Sequence, residues 1–161
     1  MSHGKIYQVG TKPIAECDYV APEYFYENHD SYADWIGDAE VGEERNECIE
    51  NLVHHGLKGL FELDKDGNIV YMGEGNFLQQ WVDAIHEKAQ AITVENVTNF
   101  TQRAALRDIL DGSHTDSIDR VVIEEWSGNF AEPIADLITF AKYNMKPGDV
   151  LHFGAVIDFH Y

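Results

Sequence analysis

Three groupings of side chains have types and spacings that invite chemistry. Ser113, His114 and Asp116 supply the residue types of a hydrolase triad. All three fall in one polar loop, whereas a triad needs a histidine held by a fixed carboxylate and a serine beside an oxyanion hole. The Gly-x-Ser-x-Gly elbow is absent, so turn chemistry is the better reading of this loop. Asp158 and His160 stand two apart on an expected strand and project to the same side, about 7 Å apart. A metal would join them only with a third ligand, for which His54, His55 and His152 are the candidates. His152, eight residues back along an extended strand, cannot reach the ion that His160 holds. Glu62 to Ile69 overlaps a calcium-loop pattern, but Glu62 stands at position 1 and Gly73 at position 12. The bidentate acid is missing, and Asp66-Gly67 reads instead as a hairpin turn. Cys17 and Cys48 lack metal-ligand spacing and are too few for a disulfide framework. Cys17 sits between Glu16 and Asp18, which oppose thiolate formation, and Cys48 falls on the inner face of a helix. Neither reads as a nucleophile.

The most distinctive stretch is acidic rather than catalytic. Pro13 to Gly56 holds twelve acids, Glu16, Asp18, Glu23, Glu27, Asp30, Asp34, Asp38, Glu40, Glu43, Glu44, Glu47 and Glu50, against one permanent cation, Arg45. Its net charge of −11 is most of the chain's −18. Tyr19, Tyr24, Phe25, Tyr26, Tyr32 and Trp35 are interleaved with these acids. Crowded carboxylates repel, so the segment costs stability unless solvent or a cationic partner relieves it. A solvated face with the aromatics in the core is one reading. The other is an interface, with Tyr and Trp as anchors and the acids steering. The residues expected at that interface are Glu23, Tyr24, Tyr26, Glu27, Asp30, Tyr32, Asp34, Trp35, Asp38, Glu40, Glu43, Glu44, Glu47 and Glu50.

The elements that must position these residues follow from periodicity. Lys5 to Val9 reads as an opening strand, and Thr11 to Gly42 as irregular. Glu43 to His55 reads as a helix with Cys48, Ile49, Leu52 and Val53 inward and Gly56 as its C′ residue. Leu57–Leu63 and Asn68–Met72 form the hairpin around Asp66-Gly67. Asn76 and Gln79 suggest a capping box for a helix to Ala91, with Phe77, Leu78, Trp81, Val82, Ile85 and Ala89 buried. Thr98 caps a third helix to Asp111, and Pro133 opens a fourth at its first position. Arg120 to Trp126 and Asp149 to Tyr161 read as strands. In the latter, Leu151, Phe153, Ala155, Ile157 and Phe159 share one side, and apolar residues on both sides predict a central strand. The expected fold is α+β, one domain over residues 1–161, with a mixed or antiparallel sheet of about five strands packed by three to four helices.

Composition narrows the functional classes. The chain has 161 residues, 44% hydrophobic and 12% aromatic, ordinary for a globular core that needs no cofactor or disulfide. No apolar run has signal-peptide or membrane-spanning length, so the expected location is cytoplasmic. A charge of −18 opposes direct contact with nucleic acid or an anionic membrane. Walker and Rossmann fingerprints are absent. In size and charge the chain resembles the DNA-mimic inhibitors, such as the anti-restriction and anti-CRISPR proteins of phages and mobile elements. That resemblance implies a non-enzymatic protein occupying the basic groove of a restriction or CRISPR nuclease, or of another nucleic-acid-binding enzyme. It carries no motif, and so assigns no site residue. The alternatives are a metal-assisted hydrolase built on Asp158 and His160, and an acidic adaptor subunit with an ordinary protein partner.

Overall fold

The structure, a computed structural model, describes residues 3–25, 33–112, 118–126 and 130–160. Tyr26, Glu27, Asp30 and Tyr32, and with them Ser113, His114 and Asp116, lie outside the described residues.

β7 (Val150–His160) organises the sheet, as its β-branched and aromatic content predicts. It runs antiparallel to β1 (His3–Gly10) along its length. Its other edge is shared: β4 (Ile69–Tyr71) pairs with its first residues and β2 (Trp35–Ala39) with its last. With β3 (Phe61–Leu63), β5 (Arg120–Ile123) and β6 (Glu132–Pro133), the sheet order is β3-β4-β7-β1-β5-β6, with β2 beside β7 and β1–β5 parallel. Seven strands therefore stand where about five were expected, because short edge pieces such as β2 and β6 leave no periodic signature.

Two cores lie on the two sides of this sheet. One joins Tyr7, Val9, Val121, Ile123, Leu151 and Phe153 to Ile49 and Leu52 near the end of α1 (Gly42–Asn51) and to Leu137, Ile138 and Ala141 of α4 (Ile134–Asn144). The other joins Ile6, Val122, Ala155, Ile157 and Phe159 to Phe25, Ala33 and Ile36, with Tyr19 and Val20 packed against it. The acid-rich stretch thus supplies much of the cover for one face of the sheet, with Ile118 and Ala131 completing it.

The expected single-sided row in β7 is broken in the middle. Leu151 and Phe153 belong to the helix-side core, whereas Ala155, Ile157 and Phe159 belong to the other. Tyr7 faces Val156 and Val9 faces Phe153, so Gln8 opposes two residues, Gly154 and Ala155. This is a β-bulge, and the extra residue exchanges the two faces of the strand.

Several termini also differ from expectation. α1 stops at Asn51 and continues as a wider π turn, Leu52–Gly56, so Gly56 is not a left-handed cap. In the β3–β4 loop only Gly67 takes positive φ, while Asp66 does not. The Asp64 carboxylate instead orders that loop, accepting from the backbone N–H groups of Asp66 (2.8 Å) and Asn68 (3.0 Å). The backbone hydrogen bond from Asn68, followed by that from Asp66, holds the Asp64 carboxyl below its ordinary range. α2 (Phe77–Gln90) has no side-chain cap from Asn76, and α3 (Phe100–Asp111) is capped by Asn99 rather than Thr98. Pro133 precedes α4 as its N-cap and also pairs with Arg120. Within α2 only Phe77 is fully buried, Val82 and Ala89 are exposed, and the Trp81 indole donates to the Ile109 carbonyl of α3 (2.6 Å). α2 therefore leans on α3 as an outer layer, which lets its stripe stay half-wet.

Candidate interaction surface

The bulge at Gly154 decides where the charges of the acidic stretch go. A bulge leaves backbone groups out of the ladder, and buried ones need partners. The Gln8 side chain, 1% exposed, supplies one set. Its Oε1 accepts from the N–H groups of Ala155 (2.9 Å) and Val20 (3.0 Å). Its Nε2 donates to the Asp18 carbonyl (3.0 Å) and to Glu124. A Cβ at Gly154 would overlap this carboxamide, which explains glycine at that point.

Arg45 supplies the other set. Its guanidinium donates to the carbonyls of Gly154 (2.7 Å) and Phe153 (3.3 Å) and lies 5.5 Å from the Tyr19 ring centroid. On a helical wheel Arg45 shares the inner face of α1 with Cys48, Ile49 and Leu52. The sole permanent cation of the stretch is thereby spent on backbone carbonyls, not on carboxylates.

The outer face of α1 is the consequence. Glu43, Glu47 and Glu50 form a row at i, i+4, i+7 with Glu44 on its flank, and all four are exposed. Among the described residues none of the four makes an ion pair. Glu50 also borders a groove of ≈ 330 Å³ with Asn46, Asp64 and Asp66, so the row continues onto the β3–β4 hairpin, where Lys65 is the one positive side chain lining it.

The remaining interface candidates divide. Glu23, Tyr24, Asp34, Trp35 and Asp38 are exposed. Phe25, beside Tyr24 on a short 3-10 turn, is a core residue. Trp35 is 43% exposed and stacks on His160 at 4.9 Å between centroids. Glu40 turns back to Lys5 Nζ (2.5 Å), which also reaches Asp158 (3.0 Å). Burial alone would lower the Lys5 pKa, but the hydrogen bonds to Glu40 and Asp158 outweigh it and raise the value above its ordinary level. Glu40 is thus neutralised internally and does not belong with the exposed row.

No protein-family model matches the chain, and no curated protein or solved structure matches it either.

The Asp158–His160 pair is divided among other partners. Asp158 holds Lys5 and, at 3.3 Å, His3. His160 Nδ1 lies 2.5 Å from Asp34 Oδ1, an ion-pair distance whose angle falls outside hydrogen-bond geometry. His152 sits at the other end of β7 against Asn68 (3.1 Å), and His54 and His55 are exposed at the end of the π turn. None of the three supplies the third ligand. Among the described residues no group of three or more His, Cys, Asp and Glu side chains is placed to hold a metal ion. Burial raises the Cys48 thiol, in keeping with an inert side chain, while Cys17 is exposed. No helix among the described residues is long and apolar enough to cross a membrane.

Gln8 and His3 went unmarked in the sequence, and Arg45 stood out only as the one cation of the acidic stretch, not as a partner of backbone carbonyls. An isolated glycine inside a strand pattern signals a bulge, and Gly154 was that signal. Nothing in the sequence ties Gln8 or Arg45 to it, since 146 and 109 positions separate them from Gly154.

Proposed function

We propose that this chain is a non-enzymatic acidic binding protein whose α1 surface occupies the basic, nucleic-acid-binding groove of a partner protein, in the manner of a DNA mimic. The observation that carries this reading is the solvent-facing row Glu43, Glu47 and Glu50, left without a cation because Arg45 turns inward. Spacing supports it. Seven residues of helix rise about 10 Å, and one strand of duplex DNA presents about three phosphates over that length. Glu44 and the hairpin acids widen the charged area, and Trp35 and Tyr24, also exposed, are of the kind that anchors interfaces. Charge of this density speeds encounter with a basic surface and rejects other polyanions.

The test is capture of partners from the source cell on the immobilised chain, followed by elution with duplex DNA. The expected result is a nucleic-acid-binding protein that DNA displaces and that a Glu43→Gln/Glu47→Gln/Glu50→Gln variant fails to retain. Added salt weakens the complex, because screening shortens the reach of these charges to about 10 Å at 0.1 M. A partner that DNA leaves in place, held equally by the triple variant, would sink the proposal.

A further inference from the structure

A second surface of the molecule has the composition of a ligand site. At Thr11, just past the end of β1, a groove of ≈ 380 Å³ opens between the Glu125–Trp126 turn and the last turns of α4. Phe140, nearly buried, sits against the Trp126 ring at 5.9 Å between centroids. Trp126 itself is 50% exposed and Tyr143, on the opposite lip, 73%.

The polar lining says what kind of ligand fits. Several of its donors are already in use. The backbone N–H and hydroxyl of Thr11 both donate to Glu125 Oε1, at 2.7 and 2.5 Å. The Thr139 hydroxyl donates to the Ala135 carbonyl (2.9 Å) and the Asn144 amide to the Phe140 carbonyl (3.1 Å). What remains is the Tyr143 hydroxyl, the Trp126 indole N–H and the second Asn144 N–H as donors, and as acceptors the Asn144 side-chain oxygen and the second oxygen of Glu125, whose carboxylate is already oriented by Thr11. The Glu125 carboxylate is the one charged group among these lining residues, so the groove favours a ligand that brings donors to it. Such a ligand must also suit aromatic faces, whose quadrupole attracts cations, and a chain of formal charge −18.

We propose that the groove binds an arginine side chain presented by a protein partner. A guanidinium is planar, stacks on aromatic rings and presents a fork of N–H donors to a carboxylate, whereas an ammonium keeps its hydration and a neutral group lacks the attraction. The site is carried by different residues from the α1 row and does not depend on what that row binds.

The experiment is an NMR titration of the full chain with a short blocked peptide containing one arginine, beside the same peptide with citrulline, its neutral isostere. The arginine peptide at millimolar concentration is expected to shift the Trp126 indole and the Thr11 and Glu125 amides, and the citrulline peptide to leave them in place. Glu125→Gln weakens the response by about threefold or more, and Trp126→Ala abolishes it with the remaining amide spectrum intact. The α1 triple-glutamine variant leaves the groove shifts unchanged, so failure of one surface is read separately from failure of the other. No shift with arginine, an equal shift with citrulline, or an undiminished response in Glu125→Gln overturns the assignment.

Discussion

Gln8 shows how one buried polar side chain can determine a strand. Its four hydrogen bonds tie the bulge at Ala155 to the loop at Asp18 and Val20 and to Glu124. Replacement by leucine keeps the volume but strands the buried Ala155 N–H, at about 1–3 kcal/mol, and the part-buried Val20 N–H and Asp18 carbonyl, at less where water reaches them. Gln8→Leu is therefore expected to lower the unfolding free energy by about 2–4 kcal/mol, measured by urea titration. A loss below about 0.5 kcal/mol would mean that water replaces the carboxamide at no cost. Gly154→Ala also destabilises, because its methyl group meets the Gln8 carboxamide. In a Gln8→Ala background the same change costs less, and the double-mutant cycle reads that coupling directly.

Lys5 makes a second prediction at this scale. Its pKa is raised in the folded chain, so the stability it contributes is fully present below the ordinary value of 10.5 and is lost as pH rises through the higher folded value. Thermal melts across that alkaline range are expected to show a decline that Lys5→Met removes. An identical decline in the variant would place the cause on another group.

At the scale of elements, α1 carries opposite roles on its two faces. The inner face closes the core and, through Arg45, satisfies the bulge carbonyls. The outer face places Glu47 within one turn of both Glu43 and Glu50, and like charges at these spacings destabilise a helix by about 0.2–0.5 kcal/mol per pair. Glu47→Gln is therefore expected to raise stability slightly, by about 0.3–1 kcal/mol, in chemical denaturation. A helix that keeps such a row against its own stability fits a binding face. Destabilisation by Glu47→Gln would reveal an internal partner for this carboxylate and argue for a structural role instead.

For the molecule as a whole, Phe25, Ala33 and Ile36 of the acid-rich stretch pack on one side of the sheet and Ile49 and Leu52 on the other, while all of its described acids but Glu40 are exposed. With a formal charge of −18, self-repulsion is a general cost to the folded state. The melting temperature is expected to rise by several degrees as sodium chloride goes from about 0.02 M to about 0.5 M, where the Debye length falls below the spacing of these charges. A flat or falling melting temperature would mean that internal ion pairs already balance the surface.

The sequence alone determined the α+β class, the four helices to within a turn, the β3–β4 hairpin and the central place of β7. Each of these follows from local periodicity, which a single segment carries within itself. The exposure of the Glu43, Glu47 and Glu50 row was equally legible, because it is the reverse of a helix's apolar stripe. Only the tertiary structure decided that Arg45 serves Gly154 rather than the acids, that Gln8 fills the bulge, and that Glu40 belongs to Lys5. It alone brought Thr11, Trp126 and Tyr143 around one groove. These are contacts between residues tens to well over a hundred positions apart. They are selected by which unpaired backbone group or charge needs a partner once the sheet has closed, and no local pattern records that need.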